Sequence, residues 1–169
     1  MIFSEHNSAE DFWKFSAYFY DKGDVKKHCL NLQNSFAIDV NLILLFCWLV
    51  QKGFGNLEPK VITELSKISD IWQKEILGPM RLVRKQIDNI DGDEAKHVYK
   101  SLLASELKAE KTEQAVLIQS LNGKNLSKIN KAPCNHLTNN LELYFLTLKV
   151  NFDEECLESV KYIIQNSCE

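Results

Sequence analysis

Apolar residues recur with helical spacing along most of this chain, and in one place they run together. From Ile38 to Val50, eleven of thirteen residues are apolar, with Asp39 and Asn41 as the exceptions. A membrane span needs roughly 20 apolar residues, and Gln51, Lys52 and Gly53 stop this run well short. The pattern therefore predicts a helix wrapped on all sides by the rest of a soluble protein. Asp39 is placed to cap that helix by accepting a backbone N–H two or three residues on. Gly53 is placed to close it.

Elsewhere the period is that of amphipathic helices. Ser8 with Asp11 three residues later resembles a capping box, ahead of Phe12, Phe15 and Phe19 on one face. Gly23 breaks that helix and Asp24 can cap the next, where Val25, Cys29, Leu32 and Phe36 form a stripe. After the central run, Gly53, Gly55 and Pro59 mark a loop and a new start, followed by the stripe Val61, Leu65, Ile68, Trp72 and Ile76. Gly78-Pro79 must kink or restart that helix, because proline cannot donate and disfavours a helical residue before it. Asp91-Gly-Asp-Glu94 supplies a cap and an N3 carboxylate for a long helix to Leu121, rich in strong helix formers from Ala104 to Gln114. Residues 122–135 are expected to be a loop, followed by helices over about 137–150 and 153–166. No stretch has a strand pattern. The expected fold is all-α, a single compact domain over residues 1–169, with about seven helices around a buried central helix at 39–51.

Composition narrows the class. A chain of 169 residues can bury about 70% of its unfolded surface, enough for a core without metals or disulfides. A net charge of −3 and a pI near 5.8 argue against a dedicated nucleic-acid binder, which usually carries a basic face. Five cysteines without a CxxC pair, and an N-terminus without a signal-peptide pattern, predict a cytoplasmic protein with reduced thiols. No membrane partner is expected.

Several ordered phrases resemble a known family. They are Phe12-Trp-Lys-Phe-Ser16, Cys29-Leu-Asn-Leu-Gln33, the run from Asp39 to Trp48, Pro79-Met-Arg-Leu-Val-Arg-Lys85 and Glu106-Leu-Lys-Ala-Glu-Lys-Thr-Glu-Gln114, with the likeness ending near Asn140–Tyr144. The chain resembles a proteobacterial family known only as a domain of unknown function. That resemblance implies a compact helical protein of this length and supplies no catalytic residues.

Motifs for catalysis or metal binding are sparse. Glu94-x-x-His97 has the i, i+3 spacing of carboxylate-bridged di-iron bundles, but those need a second such pair and two more carboxylates, and no second pair exists. Cys134-Asn-His136 has no matching ligand pair for zinc, which leaves a surface thiol beside a polar turn. Gly123-Lys124 lacks the rest of a phosphate-binding loop. Cys29 and Cys47 lie on apolar faces, where cysteine is inert packing. No metal and no cofactor are expected.

Three polar features remain. Gln33 and Asn41 flank or enter the central helix, and with Trp48 they could line a small pocket. Arg81 and Arg84, the only arginines beside eighteen lysines, share a helix face with Lys85 nearby. They present planar forks suited to carboxylate or phosphate. Glu106, Glu110 and Glu113 fall at i, i+4 and i+7, a mildly unfavourable run of like charge that something should offset. If the flanking helices form an antiparallel hairpin turning near Ile90, Arg81 and Arg84 lie level with about Tyr99 and Lys96, far from the glutamates. The arginines then cannot easily neutralise the stripe within one monomer unless the Pro79 break redirects the chain. Interhelix salt bridges for the arginines and a solvated face for the glutamates are the plain readings. The sharper one is that the two meet across a homo-oligomer or a protein partner. Lys124, Lys128 and Lys131 are expected to be a solvated loop. The leading expectation is a non-enzymatic interaction or self-association module. The alternative is a small-molecule binder or enzyme with a pocket near Gln33, Asn41 and Trp48.

Overall fold

The computed structural model describes residues 5–129, 133–148 and 153–168. Eight α-helices run through them: α1 (Glu5–Tyr20), α2 (Val25–Phe36), α3 (Val40–Gln51), α4 (Pro59–Trp72), α5 (Gly78–Asp88), α6 (Asp93–Ser120), α7 (Pro133–Leu148) and α8 (Glu154–Ser167). A π-helical segment, Gln73–Leu77, joins α4 to α5 without a break. Counted as rods, the described residues therefore form seven, and the fold is all-α as the periodicity predicts. Among them the β-type pairing is a single bridge between Phe54 and Lys128.

α3 is the axis of the molecule. All ten residues from Asn41 to Val50 are buried, and the helix packs against α1, α2, α4, α6, α7 and α8. Both of its ends are closed locally. Asp39 accepts the Asn41 N–H at 2.9 Å, a side-chain N-cap. At the other end Gly53 adopts φ +78°, its N–H bonds Val50 O, and the Phe54 N–H bonds Leu49 O. That pair of bonds is a Schellman closure, which needs the left-handed residue glycine supplies. No described helix is long and apolar enough to cross a membrane.

Four predicted helix starts or caps differ from the observed ones. α1 begins at Glu5, so Ser8 lies inside the helix and is not its cap. Asp24 holds the N-cap position of α2 without a side-chain bond, and its backbone N–H instead meets Tyr162 Oη at 3.0 Å. α6 starts after Gly92, again without a side-chain cap. α7 begins at Pro133, four residues before the predicted start, because proline suits the first helical position, where no intrahelical donor is required. The predicted end of that helix at Val150 falls outside the described residues.

The thiol expectation is also corrected. Cys134 and Cys168 are joined as a disulfide, tying the first turn of α7 to the end of α8, while Cys29, Cys47 and Cys156 are free and buried. Burial pushes the Cys29 and Cys47 thiols well above the usual range, which agrees with inert packing.

α2 ends at Ala37, which takes a left-handed φ of 52°, a conformation that costs a non-glycine residue about 1–2 kcal/mol. Ala37 is exposed, so its methyl contributes little packing. Ala37→Gly is therefore expected to raise stability by about 0.5–1 kcal/mol, read as a higher urea midpoint at unchanged slope.

Candidate functional site

The functional candidate grows out of the cap of α3. Asp39 is only 2% exposed. Its Oδ1 is used by the Asn41 N–H, and its own backbone N–H donates to Tyr144 Oη at 3.2 Å. Two residues later, the Asn41 side chain enters the same region. Its Nδ2 donates to Glu113 Oε2 at 2.5 Å, and its Oδ1 accepts from Gln114 Nε2 at 2.8 Å. Ser16 Oγ of α1 completes the chain by donating to Gln114 Oε1. Asp39 Oδ2 and Glu113 Oε1 are buried with no N–H donor against them, and the Ser69 hydroxyl and the Glu113 carboxyl face Asp39.

Two carboxyl groups thus share a dry region, each in the field of the other. Burial raises the pKa of Asp39, against the opposing effects of Ser69, Glu113, Asn41 and Arg81. Burial and then the Asp39 charge raise that of Glu113. Two buried like charges at contact cannot both persist, so the pair holds one proton, and its titration belongs to both groups together. That proton also answers the two orphan oxygens, because a carboxyl O–H can donate to a carboxylate.

This arrangement has a consequence for stability. In the unfolded chain both carboxyls ionise at ordinary values, whereas the folded pair keeps its proton to higher pH. The folded state then binds more protons, and stability falls as pH rises from the usual carboxylate range towards the raised value. Glu113→Gln keeps an oxygen for Asn41 and supplies an N–H for Asp39 Oδ2. It is expected to stabilise the protein at mildly alkaline pH by about 1–3 kcal/mol and to flatten the fall. Melting temperatures across pH check this.

Asp39 and Asn41 open onto a cavity of about 320 Å³. One wall is α1, contributing Trp13, Ser16, Ala17 and Tyr20, with Asp21 just past its end. The floor is Asp39, Val40, Asn41 and Leu44 at the start of α3, and α6 supplies Leu107, Glu110 and Gln114. Gln33 and Arg81 close the remaining side. Burial raises Tyr20 to about 12 and also raises Glu110, even with Arg81 beside it. A second depression lies beyond Gln33 and Arg81, reaching the π segment at Gln73, Lys74 and Gly78.

The arginines and glutamates meet within one chain, contrary to the register expectation. Arg81 Nη2 donates to Glu110 Oε1 at 2.9 Å, and Arg81 Nη1 donates to Gln73 Oε1 at 2.8 Å. Arg84 Nε donates to Glu106 Oε1 at 2.5 Å, and its Nη1 reaches Tyr99 Oη at 3.2 Å. The expectation compared Cα levels, but side chains lean towards the N-terminus of their own helix. On antiparallel helices the arginines reach away from the turn and the glutamates reach back towards it. The two leanings add, and both side chains are long. Nor is the glutamate stripe a solvated face: Glu106 is 4% exposed and Glu113 is fully buried.

The remaining predicted positions divide. Gln33 and Asn41 line the cavity, and Trp48 does not. It is buried against Phe12, ring centroids 5.5 Å apart, on the same face of α3 as Asn41 and Leu44 but one turn beyond the cavity lining. Lys85 is exposed and edges the second depression. Glu94 and His97 lie exposed on α6, and among the described residues no group of three or more acidic, histidine or cysteine side chains is clustered for a metal. Lys124 is not solvated as expected but pairs with Glu64. Lys128 lies over the Phe54 ring, and Lys131 falls outside the described residues. His136 bonds Asn56.

Asp39, Gln114, Trp13 and Tyr20 were not foreseen as site residues. One signal did exist. The face Glu106, Glu110, Glu113 continues at the same spacing into Leu117 and Leu121, which are buried, so the stripe points inward.

The family comparison agrees with this frame. The family described as "Protein of unknown function (DUF2390)" matches residues 11–117, and the chain belongs to it. That span contains every residue lining the 320 Å³ cavity and both members of the carboxyl pair. No curated protein matches the chain, and no solved structure does.

Proposed function

We propose that this member of the family is a small-molecule-binding protein whose site is the cavity between α1, α3 and α6, with the Asp39–Glu113 pair presenting a proton at its floor. The observation that carries the proposal is Asp39: a carboxyl 2% exposed, lining a cavity and set against a second buried carboxyl, Glu113. Perturbed carboxyls in a concave, largely apolar site are a general mark of functional positions.

The cavity mouth offers a direct test. Ala17 lines it and is exposed on α1, so Ala17→Trp fills the opening without touching the core. A fragment library screened by saturation-transfer NMR should give binders to the wild type that Ala17→Trp loses. No binders, or equal binding by both proteins, would sink the proposal.

A second function has its own observation. Leu82 and Val83, next to Arg81 on α5, and Val98 and Leu103 on α6 are exposed apolar residues, of the kind that suits docking of a protein partner or a second copy. Its polar chemistry is weaker than the sequence suggested, because Arg81, Arg84, Glu106 and Glu110 are engaged with one another and Glu113 with Asn41. Sedimentation across concentration distinguishes the two: a constant monomer mass counts against self-association.

A further inference from the structure

We infer that the hairpin of α5 and α6 is a self-association arm, and that two copies lay these arms antiparallel on the face turned away from the cavity. The inference rests on the docking reading above and names its partner, and it does not depend on the cavity holding a ligand. α5 packs chiefly on α6 and on the π segment before it, and none of its residues is buried. α6 has no buried residue before Glu106. Through this stretch the arm is two helices without a further layer, whereas a helix buries its apolar stripe only by packing on other elements.

Arg81 and Glu110, bonded to each other, mark the side of the arm that faces the cavity. The opposite side follows from the helical repeat of about 100° per residue. Val83 lies about 200° round α5 from Arg81, and Ile87 is one turn on from Val83. Glu94, Ser101 and Lys108 lie about 160–200° round α6 from Glu110, with Val98 and Ser105 beside them. Val83, Val98, Ser101 and Ser105 are exposed, and Ile87 is partly so. Glu94, Ser101 and Lys108 recur every seven residues, the repeat with which one helix lies along another. Glu94 and Lys108 are exposed and enter no ion pair among the described residues.

That spacing selects the partner. A two-fold axis at Ser101 sets Glu94 of each copy against Lys108 of the other, because the two lie equally far on either side of it. The face therefore completes its own charge pattern when it meets itself in the antiparallel sense. Ser101 and Ser105 are small enough for close approach at the axis, and Val83, Ile87 and Val98 supply apolar contact beside them. An interface of this extent belongs to the small, reversible class.

The test is sedimentation equilibrium of the full chain from about 1 µM to about 500 µM, the range in which a small interface dissociates. The mass should rise from the 19.5 kDa of one chain towards twice that value. Ser101→Glu sets two like charges on the axis and should abolish the rise. Glu94→Lys and Lys108→Glu should each weaken the dimer about tenfold, because symmetry makes two pairs repulsive at once. The double variant should restore it. Melting temperatures at low concentration should match the wild type for every variant, since all three positions are exposed. A wild-type mass that stays at one chain overturns the inference together with the second-copy half of the docking reading. A dimer indifferent to Ser101→Glu upholds that reading and overturns this face. A double variant weaker than either single variant overturns the antiparallel register.

Discussion

Phe46→Ala is expected to cost about 3–5 kcal/mol, the range for truncating a fully buried aromatic side chain. Phe46 is fully buried in the middle of α3, where no face is turned to water and neighbours on all sides limit collapse into the void. Its ring stands edge-on to Tyr144, centroids 6.0 Å apart. Tyr144 Oη in turn receives the Asp39 N–H at the helix start. The damage should therefore reach the site, and fragment binding at the cavity should weaken along with the denaturation midpoint. Leu45→Met at the neighbouring buried position conserves volume and should cost less than about 1.5 kcal/mol. Equal losses for the two substitutions would mean that packing around α3 is looser than the structure has it.

Arg84→Ala should be the second large effect, about 3 kcal/mol, because it strands a buried carboxylate. Glu106 is 4% exposed, and its described hydrogen-bond partner is Arg84. Part of Arg84 remains exposed, its side chain at 20%, which keeps the loss at the low end of the range for buried pairs. The double variant Arg84→Met with Glu106→Leu removes both charges and should recover most of the stability. Chemical denaturation of the single and double variants measures the recovery. A single variant as stable as the wild type would show that the pair is solvated in solution.

What could be read from the sequence was local. The central helix was evident because its signal is contiguous: an apolar run with a capping aspartate before it and a glycine after it. Gly78-Pro79 was expected to kink or restart the helix, and the helix instead runs on through the π segment Gln73–Leu77. In that geometry a Cβ at position 78 would lie 2.4 Å from Gln73 O, so glycine makes room for the wide turn that precedes a residue with no donor.

The site was less legible, for two physical reasons. Asp39 already had a complete local explanation as an N-cap, and that role uses only one of its oxygens. The other faces Glu113, and such a meeting of distant segments leaves no periodic trace. The stripe of glutamates was noticed, and so was its need for compensation, but its partners were sought at the wrong level. Reach and lean of side chains, rather than Cα height, decided which residues met. Trp48 does share the face of α3 that carries Asn41 and Leu44, but one turn farther along the Phe12 ring of α1 covers it. That is a contact between distant segments, which the helix's own sequence does not carry.

A protonated carboxyl inside the folded protein at neutral pH is the point on which the account turns. Infrared spectroscopy sees it directly, because a protonated carboxyl has a carbonyl stretch distinct from that of a carboxylate. The wild type at neutral pH should show that band, sensitive to deuteration, and Glu113→Gln should lack it, since Asp39 then ionises against an amide. A spectrum without any protonated carboxyl, or a band unchanged in Glu113→Gln, would contradict a proton shared by Asp39 and Glu113.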